Sequence, residues 1–326
     1  MIKTKRYNYY ASVICCAVGL ILISNGEAKE SIKVYLLGGQ SNMVGSGKPA
    51  ELSGVHAKPQ DDVKFWNGNA WVALAPGAKN FGPEIGFGRA MKDALPKEEI
   101  YLVKYAASGT ALYNDWSPSG GPQYKQFMKT ALAAIANLDK EGVKYEIAGM
   151  LWMQGESDAK ENKGEAYEKN LKDFIGNMRE QFKTPKMPFI IARVKDHYGG
   201  KTGQAKIVRD AQVNIAKTDE GVEWFDTDKY PMVNAGHYNG EGLVIMGKDF
   251  AKALLAIEPQ SSPKPKKLEK RTFRSADGEQ SFVGVLTKYD QKTGMVSIRK
   301  SNGKTVKFKI ELLSGKDQDY VKEHLK

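Results

Sequence analysis

The chain has 326 residues, with 49 lysines and arginines against 38 acids and a formal net charge of +11. That length leaves room for one mid-sized domain and a small second unit. Its 2 cysteines, Cys15 and Cys16, are adjacent near the start, so no disulfide framework is expected in the body of the protein. No His/Cys/Asp/Glu cluster has ligand spacing, so no metal site is expected either.

In chain order, Lys3, Lys5 and Arg6 precede an apolar stretch from Ala11 to Ile23 that gives way to small residues at Gly26 and Ala28. This pattern predicts a secretory signal segment over residues 1–28, cleaved after Ala28, and hence an exported protein. The apolar stretch is short for a membrane span. Val34-Tyr35-Leu36-Leu37 then reads as a buried strand ended by Gly38-Gly39, which delivers Ser41 beyond its carboxyl edge. Helical spacing over Gly86 to Leu95 precedes a strand over Ile100 to Tyr105, and Ala106-Ala107-Ser108-Gly109-Thr110 follows at once. Tyr113-Asn114-Asp115-Trp116 comes next; these aromatics are read as loop anchors or as a platform for a sugar ring. A helix is predicted over Tyr124 to Leu138, and a strand over Met150 to Met153 that runs directly into Gln154-Gly155-Glu156-Ser157-Asp158. A helix over Tyr167 to Phe182 and a strand over Phe189 to Val194 complete an alternation that predicts a parallel sheet flanked by helices. Asp226 and Asp228 end another apolar run, and Asn234 to Gly242 presents His237 in a turn-rich segment before a helix-like stretch from Leu243 to Leu255. His56, His197 and His324 lie in polar surroundings and are read as surface residues.

These segments point to one chemistry. A serine hydroxyl is a poor nucleophile until a base takes its proton, which calls for a histidine within hydrogen-bond reach, here His237. The developing oxyanion then needs donors fixed in advance; the Gly109 N–H and the Gln154 amide stand at neighbouring strand ends. Glu156 and Asp158 are read either as loop acids and helix caps or, for Glu156, as a residue that fixes the loop bearing Gln154.

Gly-Gln-Ser-Asn-Met at residues 39–43, Lys104 to Thr110, Trp152 to Asp158, Pro188 to Val194 and Arg209 to Gln212 together resemble the SGNH hydrolases over roughly residues 31–257, and within them the sialate O-acetylesterase and carbohydrate esterase family 6 branch. The resemblance implies a three-layer, flavodoxin-like α/β fold for residues 29–257 and an exported serine esterase that removes O-acetyl groups from carbohydrates. It further implies Ser41 as nucleophile, His237 as base, and an oxyanion hole of Ser41, Gly109 and Gln154, with Gln40, Asn42 and Glu156 in support and no cofactor. One position departs from the pattern. An aspartate usually stands three residues before the histidine, and here it is Asn234. Three readings follow: Asn234 orients His237 by its carbonyl, Asp226 or Asp228 supplies a displaced acid, or a backbone carbonyl suffices. The alternative is a catalytically lapsed protein that binds carbohydrate or attaches to a surface, and acetyl transfer to another sugar is a third possibility.

Residues 258–270, rich in proline, serine and lysine, read as an extended linker. Beyond it, alternating runs at Ser281 to Leu286, Met295 to Arg299 and Thr305 to Ile310, joined by Asp290 to Gly294 and by a turn containing Asn302-Gly303, predict short antiparallel strands. With the closing helix-like segment, residues 271–326 resemble the small SH3-like β-barrel of the SLA1 homology domain 1 type. From Ser262 onward there are 16 lysines and arginines against 8 acids, whereas residues 29–261 hold 30 against 29. The basic excess thus belongs to the C-terminal unit and suggests an acidic polymer or surface as its partner. Nucleic acid is not expected, given the export signal and the lack of a reading motif.

Overall fold

The computed structural model describes residues 31–197, 202–257, 270–290, 293–300 and 302–324. The predicted signal segment and most of the linker lie outside the described residues.

The main domain is built on a seven-stranded sheet of order β3-β2-β4-β1-β5-β6-β7. Its strands are β1 (Ile32–Gly39), β2 (Gln60–Trp66), β3 (Trp71–Leu74), β4 (Ile100–Ala106), β5 (Tyr145–Met153), β6 (Phe189–Arg193) and β7 (Val222–Asp226). All are parallel except β3, which folds back antiparallel on β2 at one edge. The alternation of strand-like and helix-like runs therefore gives the α/β class expected. The β2–β3 hairpin was missed, because Asp61, Asp62 and Lys64 interrupt its apolar pattern at an edge where they face solvent.

Helices cover both faces. On one lie α2 (Glu84–Ala94) and α7 (Gly240–Ala256), which pack on each other. The other carries α3 (Pro122–Lys140), α5 (Gly164–Gln181) and α6 (Gln204–Thr218). The period of two in β1 and β5 assigns the faces. Tyr35 packs edge-on against Phe87 of α2, while Trp152, level with Gly38 in the sheet, packs against Phe174 of α5. Because both faces are buried, the central strands are apolar almost throughout, which is why they are legible as continuous runs rather than alternations.

The C-terminal unit is an antiparallel sheet of four strands in the order β10-β11-β12-β13, from β10 (Arg271–Arg274), β11 (Ser281–Asp290), β12 (Met295–Lys300) and β13 (Thr305–Lys309), followed by α8 (Gly315–His324). It has its own small core of Phe273, Leu286, Val296, Ile298, Ile310, Leu313 and Val321. Asp317 at the start of α8 accepts from Arg271 Nη2 at 2.6 Å and from the Arg274 backbone at 2.8 Å, which ties the helix to β10.

Candidate active site

Parallel strands deliver their loops to one edge, and the sheet order brings the ends of β4, β1 and β5 side by side. Gly39 closes β1 with φ of +145°, and a Cβ there would stand 2.1 Å from the Met153 carbonyl oxygen, so only glycine admits this approach of β1 to β5. Gln40 N then donates to Met153 O at 2.9 Å and Ala107 N to Gly39 O at 3.1 Å. Between these two anchors the chain turns into the single-turn helix α1 (Ser41–Val44), with half-buried Ser41 as its first residue. Gly109, exposed with φ of +70°, stands in the loop after β4 on one side, and Gln154 follows β5 on the other.

His237 comes from the far end of the domain. It lies in a short hairpin of β8 (Met232–Asn234) and β9 (His237–Tyr238), pinned onto α1 by Asn42 and by Ser46, whose Oγ donates to Tyr238 O at 2.7 Å. Asn234 Oδ1 accepts from Gly236 N at 2.8 Å and His237 N at 2.9 Å and stands 3.1 Å from His237 Nδ1. A carbonyl oxygen surrounded by donors makes Nδ1 the protonated nitrogen and leaves Nε2 as the basic one. The candidate displaced acids are both paired with arginines: Asp226 is engaged by Arg193, and Asp228 takes a fork from Arg209 at 2.7 and 2.8 Å, which holds its carboxyl below the usual range. Asn234 is the group placed at His237.

The first turn of α4 (Glu156–Lys160) connects three site-bearing segments. Ser157 Oγ donates to Gln40 Oε1 at 3.0 Å, beside the serine. Asp158 accepts from Leu112 N at 2.8 Å, Tyr113 N at 3.2 Å and Gln154 Nε2 at 2.6 Å, and so holds the loop that carries Gly109. Both hydrogens of the Gln154 amide are engaged, the second by Thr110 O at 3.1 Å, and the side chain is fully buried. To meet an oxyanion it must exchange the longer of these bonds. Tyr167 and Gln212 complete the support, each donating to Gln154 O, at 2.8 and 3.0 Å. Their roles, and that of Asp158, were missed from sequence. The available signal for Gln212 was a polar residue on the apolar stripe of Ala205, Val208, Ala211 and Ile215.

Glu156 is fully buried, which excludes the reading of a solvated loop acid. Its Oε1 accepts from Asn42 Nδ2 at 3.0 Å, whereas Oε2 has no hydrogen-bond partner. Burial pushes this carboxyl above its ordinary value of 4.5, against the pull of the Asn42 bond. A proton bound more tightly in the folded state stabilises the fold fully below 4.5, and that contribution is lost as pH rises toward the elevated folded value. Glu156→Gln, which cannot titrate, should therefore gain in melting temperature relative to the parent as pH rises from 4 to 8. A pH-independent difference between the two would refute this assignment.

Other expectations are corrected. Trp116 is not a sugar platform: it is buried and donates from Nε1 to Thr110 Oγ1 at 2.8 Å. Tyr113 stays half-buried at the rim, its hydroxyl on Glu161 at 2.9 Å and Lys163 over its ring. His197 is exposed, as the surface reading has it, and its Nε2 contacts Ala235 O in the histidine hairpin. His56 is half-buried, and burial, reinforced by Lys248, pushes its imidazole down. The side chain of His324 lies outside the described residues.

Residues 31–256 match the family described as carbohydrate esterase, sialic acid-specific acetylesterase. No curated relative matches the chain in sequence. Among solved structures, a protein from Arabidopsis thaliana is similar at 25% identity and a TM-score of 0.59, covering 70% of this chain and 99% of that one. A carbohydrate acetylesterase from Xanthomonas citri shares 16% identity with a TM-score of 0.53, covering 84% of this chain and 68% of its own. NanS shares 13% identity with a TM-score of 0.57, covering 71% and 99%. Among the described residues no helix is long and apolar enough to cross a membrane.

Proposed function

Since this chain belongs to the sialic acid-specific acetylesterase family of carbohydrate esterases, we propose that it is an exported serine esterase that releases acetate from O-acetylated sugars through Ser41 and His237. It is a carboxylic ester hydrolase. His237 Nε2 takes the Ser41 Oγ proton as Oγ attacks the acetyl carbonyl, and the negative oxygen is received by the N–H groups of Ser41 and Gly109, joined by Gln154 when its amide exchanges Thr110 O for the oxyanion. The imidazolium returns its proton to the departing sugar oxygen, leaving acetyl on Ser41. His237 then takes a proton from a water as that water attacks the acetyl carbonyl, and returns it to Ser41 Oγ as the acyl–Oγ bond breaks and acetate leaves. The observation that carries this reading is Asn234 Oδ1 facing His237 Nδ1 in a hairpin pinned beside Ser41. The basic C-terminal sheet, which we read as an SLA1 homology domain 1-like barrel, exposes Lys307 and Lys309 along β13 and would hold the enzyme to an anionic glycan or surface.

Acetate release from 4-nitrophenyl acetate and from acetylated sugars by the purified protein tests the reading, and a folded protein that releases none would sink it. Asn234→Asp is the sharper test. A carboxylate in place of the neutral carbonyl stabilises the imidazolium that forms in the transition state, so kcat should rise by about 10-fold. An unchanged kcat would mean that charge at this position does not limit turnover.

A further inference from the structure

We propose that Asn42 is the positioning residue for His237, and that Glu156 acts through it; the inference rests on His237 being the base. Asn42 holds both neighbours of the histidine. Its Nδ2 donates to Gly236 O at 3.2 Å and its Oδ1 accepts from Tyr238 N at 3.3 Å, so one side-chain amide clips the backbone on each side of His237. Asn42 is also the residue bonded to the nucleophile. The separation of Ser41 from His237, which come from opposite ends of the domain, is thereby set on both sides of the histidine by the residue next to the nucleophile, with Ser46 holding the same hairpin at Tyr238 O.

The clip works in one orientation only. A flipped amide would set Nδ2 against the Tyr238 N–H and Oδ1 against the Gly236 carbonyl, two repulsive contacts in place of two hydrogen bonds. Glu156 Oε1, 3.0 Å from Nδ2, takes the amide's second hydrogen and so reinforces that orientation. Asn42 is itself completely buried, which removes water as a substitute partner. The burial of Glu156 supports the same assignment: a carboxyl costly to bury is spent on Asn42, whose amide is the foremost hydrogen-bond donor to it, ahead of Gln40. This chain of contacts explains how His237 is held without a carboxylate at position 234.

The test is kcat and KM for 4-nitrophenyl acetate in Asn42→Ala, Glu156→Ala, Glu156→Gln and the double alanine variant, each assayed below its melting temperature, with His237→Ala as control. A displaced base loses turnover rather than binding, so Asn42→Ala should lower kcat about 100-fold with KM within about 3-fold. Glu156→Ala should lower kcat by roughly 10-fold. Glu156→Gln, which keeps an acceptor for Nδ2, should recover most of that loss. The double variant should be no slower than Asn42→Ala, because on this proposal Glu156 acts on His237 through Asn42. If Asn42→Ala does not fold, Asn42→Ser takes its place, since it too cannot span Gly236 and Tyr238. Losses that multiply in the double variant, failure of glutamine to rescue, or full activity without the clip while His237→Ala is inactive would each overturn the proposal. An active His237→Ala would instead overturn the base assignment on which it stands.

Discussion

Ser41→Ala should abolish acetate release, lowering kcat by at least about 10⁴-fold while the melting temperature stays within about 2 °C of the parent. The activity loss follows from chemistry: without Oγ no acetyl-enzyme forms, and water positioned by His237 alone is a much weaker route. The small effect on stability follows from position. Ser41 is half-buried at the start of α1, and no hydrogen bond from its Oγ braces the fold among the described residues, whereas its neighbours Gln40 and Asn42 are buried and bonded. Mass spectrometry of the parent protein after a rapid quench adds a second readout, an acetyl mass on the peptide that contains Ser41. Full activity in the alanine variant would place the nucleophile elsewhere and undo the proposed mechanism.

Asp158→Ala should produce the largest loss of stability among the site residues. Three donors converge on this one carboxyl, from Leu112 N, Tyr113 N and Gln154 Nε2, and the residue is fully buried. Alanine leaves all three without an acceptor where water has poor access. An unmet buried donor costs about 1 to 3 kcal/mol, and three are left here with partial relaxation, so the domain should lose about 3 to 5 kcal/mol. For a domain of this size that lowers the melting temperature by about 10 °C. Turnover should fall as well, because the same bonds fix the Gly109 loop and orient the Gln154 amide. Asp158→Asn, with one carbonyl acceptor in place of two oxygens, should fall between parent and alanine in both readouts. Thermal melting followed by circular dichroism, run beside the esterase assay, checks both effects; an alanine variant as stable as the parent would show that the loop after β4 is held by other contacts, such as Thr110 Oγ1 to Ala107 O.

Glu156 and Asp158 show how two similar letters separate in three dimensions. They lie two residues apart on one helical turn, yet Glu156 meets Asn42 on the histidine side and Asp158 meets the loop after β4. Nothing in the spacing of a Glu-Ser-Asp triplet distinguishes such a pair from solvated helix-start acids, since burial of a carboxyl depends on what other segments bring to it.

The sequence by itself determined the class of the main domain and the strand ends at which the candidate site residues stand. Strands buried on both faces must be apolar throughout, so β1, β4, β5 and β6 stand out as runs, and Ser41, Gly109 and Gln154 follow three of them directly. It also separated the basic C-terminal strands from the domain before them, by charge and by a change of period. The tertiary structure alone decided which groups meet. His237 and Asn42 are 195 positions apart in the numbering, and their association depends on the hairpin of β8 and β9 closing over α1. The partners of Asp226 and Asp228 were likewise a matter of geometry: both lie close to His237 in sequence, and only the positions of Arg193 and Arg209 show that these carboxylates are paired with arginines. Local pattern follows from the environment of each segment, whereas hydrogen-bond partners follow from the sheet order, which no local pattern encodes.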